Sequence, residues 1–184
     1  MNKKTTVAAV LLATVMAGYS AIGSAEEGMA FGRSQAPAPL EGTWVVTIRP
    51  IYCSGPNAGA DVVLPDGTKP PPVTSHLTFG RGGALLESTS NPALGAGKRT
   101  PGHGWWERTG RTSYQFAMQA FLVDPLPPYQ SGLQRIDQTL ELHTNDEWTS
   151  SGTVKFFGVF DINVTPAPSP YRSGCARSNG VRMY

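Results

Sequence analysis

The chain has 184 residues, 40% of them hydrophobic and only 15% charged, with 21 Gly, 16 Pro and 2 Cys. Its formal net charge is +2, and no basic stripe with interleaved aromatics occurs, which excludes a nucleic-acid footprint. Glycine and proline scattered this densely exclude an architecture of long helices.

The N-terminus reads as an export signal. Lys3 and Lys4 precede the apolar run Val7–Ala17, and a small-residue stretch ends at Gly23-Ser24-Ala25. The run is shorter than the ~20 residues that span a bilayer. The order of basic, apolar and small residues is that of a secretory leader cleaved after Ala25. Gly18, Gly23 and the acids Glu26-Glu27 would end an uncleaved anchor helix early, and no Cys lies near the cleavage point to carry a lipid. We therefore expect residues 1–25 to be a signal peptide and the protein to be secreted or periplasmic, with no membrane span after cleavage. Cleavage removes two lysines and no acid, so 13 acidic residues face an equal number of basic ones.

Residues 26–39, rich in Ala, Pro and Gly, predict a flexible lead-in. Residues 40–184 predict one β-domain. Its strand-like segments are Thr43–Cys53, Val73–Phe79, Ala84–Ser90, Gly104–Arg108, Thr112–Val123, Leu133–His143, Thr149–Phe160 and Tyr171–Met183. Several connections are short, such as Gly80–Gly83 and Thr109–Arg111, which makes neighbouring strands antiparallel. Longer connections are expected at Ser54–Pro72, Asn91–His103, Asp124–Gly132 and the proline-bearing Ile162–Pro170.

Alternation assigns the faces. Tyr114, Phe116, Met118, Ala120 and Leu122 share one face of their strand, and Ile136, Leu140 and Leu142 share one face of the next. The expected fold is all-β, an eight-stranded antiparallel up-and-down closed barrel, because closure buries those faces and removes exposed edges. The alternative is a β-sandwich. Eight strands leave an interior that is either filled by side chains or open to one small ligand. In an oxidising compartment Cys53 and Cys175 are expected to pair, tying the first strand to the last.

The opening Gly42-Thr43-Trp44 resembles the Gly-x-Trp start of lipocalins, within the calycin-like barrels. That resemblance implies that Trp44 plugs the closed end of the barrel and that an Arg from the last strand, Arg182 or Arg177, lies over it. Glu87–Ser90 followed by Gly102-His103-Gly104-Trp105 resembles exported bacterial proteins of the same strand layout, which imply no activity. The allene oxide cyclase and dirigent barrels share the architecture, and fold analogy does not transfer function.

The candidate site residues follow from type and position. His103-Gly104-Trp105-Trp106 places two indoles on opposite faces of one strand. We assign Trp105 to the interior, with Tyr114, Phe116 and Met118, as a mainly apolar ligand lining. The alternative is an inward Trp that simply fills the core. Glu87 stands among apolar neighbours: inward, it is an acid, a base or an anchor for a polar ligand group, and outward it is a surface carboxylate. Tyr114 offers a hydroxyl to the cavity or satisfies it locally. His76, His103 and His143 lack metal-ligand spacing, so no metal is expected, and no phosphate loop, nucleophile elbow or dinucleotide fingerprint calls for a cofactor. Asn163-Val164-Thr165 fits a glycosylation sequon.

Three functions are compatible with these residues. The first is binding of a small, mainly apolar molecule inside the barrel. The second is a cyclase or isomerase in which Glu87, Tyr114 and His103 move protons. The third is an interaction role for outward aromatics such as Trp106 or Trp148. A homodimer is compatible with all three.

Overall fold

The structure, a computed structural model, describes residues 39–91, 97–124, 126, 130–158 and 168–184. The expected leader, most of the expected lead-in and the Asn163 sequon lie outside the described residues. The predicted segments are all strands: β1 (Gly42–Ile51), β2 (Val73–Phe79), β3 (Ala84–Ser90), β4 (Gly102–Arg108), β5 (Ser113–Val123), β6 (Gln130–Leu142), β7 (Glu147–Phe157) and β8 (Arg172–Arg182). Each pairs antiparallel with its neighbours in sequence, and β8 returns to β1 from Trp44↔Arg182 to Ile51↔Cys175. The sheet therefore closes into an up-and-down barrel, and the sandwich alternative is excluded. The one helical turn among the described residues is the 3-10 segment Arg81–Gly83 between β2 and β3. No described helix is long and apolar enough to cross a membrane.

Alternation works as the sequence predicts on β5, where Tyr114, Phe116, Met118, Ala120 and Leu122 are all buried. The inward residues sort by height. At one end Trp44, Phe79, Trp106, Tyr114, Phe116 and Trp148 form a continuous aromatic cluster. Phe79 sits at its centre, with ring centroids 5.9 Å from Trp106, 5.9 Å from Phe116 and 6.3 Å from Trp148, all edge to face. Such geometry aligns ring edges with the negative faces of their neighbours. Burying each of these side chains contributes about 1.5–3 kcal/mol, so this end is the stability centre of the barrel.

The aromatic end is capped from outside. Trp44 Nε1 donates to the Leu40 carbonyl at 2.9 Å, which draws the entering chain across the barrel opening. The Arg182 guanidinium lies 4.2 Å above the Trp44 ring. It donates to the carbonyls of Glu41, Asn145 and Pro39. Gly42 permits this approach: its φ is 126°, and a Cβ there would fall 2.7 Å from Arg182 Nη1. Arg177 faces outward and pairs with Asp61 instead.

The opposite end is open between strands but covered by the β1–β2 connection. The Cys53–Cys175 disulfide fixes the start of that connection to β8. Asp61 holds its middle through Arg177 at 2.7 Å and Lys69 at 3.0 Å. Tyr52 N donates to Ala60 O at 3.0 Å, and Leu64 N donates to Thr68 O at 2.8 Å, so the connection is internally folded.

Candidate functional site

The open half of the barrel contains a cavity of about 680 Å³. That size falls within the roughly 300–1,000 Å³ of small-molecule sites. Its walls are Ile48 of β1, Val73 of β2, Ile136 of β6, Val154 and Phe156 of β7, and Ala176 of β8. Val62, Leu64, Pro70 and Pro71 of the β1–β2 connection also line it, so the connection acts as a roof. Gly174 lies on the wall too, and a Cβ there would meet nothing within 4 Å, which leaves room where other inward positions carry side chains.

The lining is interrupted by a polar cluster drawn from β2, β3, the β3–β4 connection, β4 and β6. Glu87 projects inward from β3 with only 1% of its side chain exposed. Its Oε2 is 2.6 Å from Arg99 Nη1 and accepts from the Gly102 amide at 3.2 Å, while Oε1 accepts from Ser75 Oγ at 3.1 Å. The absence of a side chain at Gly102 makes the amide contact possible, since a Cβ there would fall 2.7 Å from Oε2. Arg99 is itself 5% exposed, and its Nε donates to Gln134 Oε1 at 2.5 Å. A buried carboxylate without such partners would be too costly to keep, and the pair persists because nearly every charged atom is hydrogen-bonded.

Arg99 reaches the interior through a register slip. His103 pairs with Gln119, and further along Arg99 pairs with Leu122. Four steps on the β4 side thus oppose three on β5, the signature of a bulge, and the extra residue turns Arg99 inward beside Leu122. The segment is held by Thr100 N donating to Phe121 O at 3.0 Å and Val123 N donating to Lys98 O at 2.9 Å.

The structure separates the candidate residues that the sequence grouped. Of the three named for proton transfer, only Glu87 lines the cavity. Tyr114 lies in the aromatic end, 5.9 Å from Trp106 between ring centroids, and its hydroxyl has no hydrogen-bond partner among the described residues. His103 is on the outer face of β4. The assignment of the two indoles is reversed: Trp105 is outward and 47% exposed, whereas Trp106 is inward and donates from Nε1 to Gly80 O at 2.9 Å. The reason is the parity of β4, in which Trp106 shares the inner face with Gly102 and Gly104 and pairs with inward Phe116. Trp106 and Trp148 are both buried, so neither forms an outer contact patch. Phe116 and Met118 face inward, but they border a much smaller void of about 20 Å³ deeper in the barrel rather than the main cavity.

Arg99, Gln134, Ser75 and the rim residue Arg172 were not singled out by sequence reasoning. Gln134 carried a legible signal, because alternation places it on the inner face of β6 beside Ile136. Arg99 carried none, because strict alternation would turn it outward. The three histidines are all exposed, and no group of metal-ligating side chains forms among the described residues.

Fold and cavity define a class: an eight-stranded antiparallel barrel plugged by aromatics at one end and hollow at the other. Compared with protein-family models, curated proteins and solved structures, the chain matches none of them.

Proposed function

We propose that this protein is an exported, calycin-like barrel that binds a small, mainly apolar molecule in its open half. The observation that carries the reading is the cavity of about 680 Å³, walled by Ile48, Val73, Ile136, Val154 and Phe156 and fitted with the Glu87–Arg99–Gln134 cluster. Apolar walls with few polar fixings are the usual chemistry of a small-molecule site. The disulfide fits an oxidising, extracellular compartment and agrees with the leader-like N-terminus. The plugged end supports the lipocalin resemblance, since Arg182 lies over Trp44 as in that family's closed end. The cyclase or isomerase reading loses support, because Tyr114 and His103 do not converge on Glu87.

Gly174→Phe tests the proposal. A Cβ at this cavity-lining position meets nothing within 4 Å, so the barrel should tolerate the substitution. The neutral probe N-phenyl-1-naphthylamine should brighten on binding the mature wild-type protein and bind the variant at least about tenfold more weakly. Equal binding by both proteins, with unchanged thermal unfolding, would place the probe elsewhere and refute the cavity as the site. Native mass spectrometry of protein from its own host should also show a retained small molecule, and the same spectrum reports whether the barrel is a dimer.

A further inference from the structure

We infer that the ligand carries a carboxylate or similar anionic head, held by donors of the Arg99–Gln134 cluster and by Arg172, with its apolar tail along the cavity wall. This rests on the apolar-ligand reading and specifies its polar end. The first support is the accounting of hydrogen bonds. Glu87 is the one carboxylate lining the cavity among the described residues, and both its oxygens already accept. It has little left to offer a cationic head. The donors are not used up. Arg99 spends Nε on Gln134 and Nη1 on Glu87 and the Thr100 carbonyl, and Nη2 has no hydrogen-bond partner among the described residues. Gln134 is 6% exposed and accepts through Oε1, so its amide NH₂ is left to donate, and it too has no acceptor among the described residues. Both side chains line the cavity, so these two donor groups are available to an acceptor on a bound molecule.

The second support is charge. Arg99 and Glu87 cancel each other. Arg172, the remaining charged residue lining the cavity among those described, has no carboxylate partner among the described residues and lies over the Phe156 ring at 5.7 Å. The described lining therefore carries one net positive charge. A neutral acceptor would satisfy the donors, but only an anion also uses that charge, and guanidinium groups hold carboxylates through two parallel hydrogen bonds. The cavity thus fits a single-chain amphiphile with an anionic head better than an alcohol or an amine of the same chain.

Dodecanoate, dodecanol and dodecyltrimethylammonium, each below its micellar concentration, should be compared as competitors for bound N-phenyl-1-naphthylamine at pH 7.5. Dodecanoate should displace the probe at a concentration at least about tenfold lower than dodecanol, with the quaternary ammonium weakest. Arg172→Gln, a change at an exposed rim residue, should weaken dodecanoate more than dodecanol and so narrow the gap between them. Arg99→Gln paired with Glu87→Gln, which leaves no buried charge behind, should narrow it further. Equal displacement by all three, or preference for the cation, overturns the inference and leaves the apolar site intact. A preference for dodecanoate that survives both sets of substitutions also overturns it. Failure of the probe itself to bind refutes the apolar site, and this inference with it.

Discussion

At the scale of single residues, the buried Glu87–Arg99 pair is the most consequential arrangement. Each side chain is almost wholly removed from water, and each is the other's ion-pair partner at 2.6 Å. Removing one partner leaves an isolated buried ion, whereas removing both leaves a neutral pocket. Glu87→Ala should therefore destabilise the barrel by about 3–5 kcal/mol, and the double change Glu87→Leu with Arg99→Leu should recover most of that loss. Urea unfolding of the two variants checks this, and a double variant as unstable as the single one would show that the pair stabilises the fold directly. Isolation of the two charges from solvent is the physical ground for placing a function there, since a domain gains no stability from a buried ion pair that apolar side chains of similar volume would not supply.

At the scale of elements, the roof and the seam are held together. The Cys53–Cys175 bridge closes a loop with a sequence separation of 122 residues and joins the start of the β1–β2 connection to β8, the strand that closes the barrel against β1. Loop-closure entropy assigns such a link about 5 kcal/mol at most. Reduction should lower the urea midpoint markedly, while the aromatic end keeps its near-ultraviolet circular dichroism in the reduced, still-folded protein. Alkylation without reductant should find no free thiol, and two free thiols would refute the pairing. The same roof carries a pH signature. The Lys69 ammonium hydrogen-bonded to Asp61, with Arg177 and Arg49 nearby, holds the Asp61 carboxyl below its ordinary value of 3.8. A lowered carboxylate pKa stabilises the fold above the unfolded value and loses that contribution as pH falls through the folded one. Asp61→Asn should therefore lower the thermal midpoint modestly at pH 6 and less at pH 2. An equal effect at both pH values would mean that Asp61 acts through shape and not charge.

Legibility in the sequence also divides by element. β5 and β6 declared their faces because each alternates cleanly over its length. β3 did not, because Leu85 and Leu86 are adjacent and both apolar, so alternation alone could not say which side Glu87 shares. Leu85 is buried and Leu86 is 52% exposed, which places Glu87 inside. β4 misled for a related reason: Trp105 and Trp106 compete for the inner face, and the flanking Gly102 and Gly104 give no hydrophobic signal to decide between them. Pairing of Trp106 with inward Phe116 settles the choice, and that is a relation between strands.

At the scale of the whole molecule, closure explains why the two ends differ. A closed sheet has no edge through which to admit a ligand, so access must come from an end. Large aromatics from most of the strands converge at one end, where Trp44 and Arg182 also close the surface. At the other end the inward positions are smaller, including Ser75, Thr89, Gly174 and Ala176, and the same cylinder is left hollow. The sequence by itself determined the strand number, the antiparallel order and the inner faces of the cleanly alternating strands, because each depends on local periodicity and turn length. It also supplied the two cysteines that the structure pairs. Only the tertiary structure decided that Glu87 is buried, that Arg99 turns inward to meet it and that Tyr114 and His103 stand apart from both. Those facts depend on a one-residue slip between neighbouring strands and on heights around a closed barrel, and neither is encoded in the alternation of a single strand.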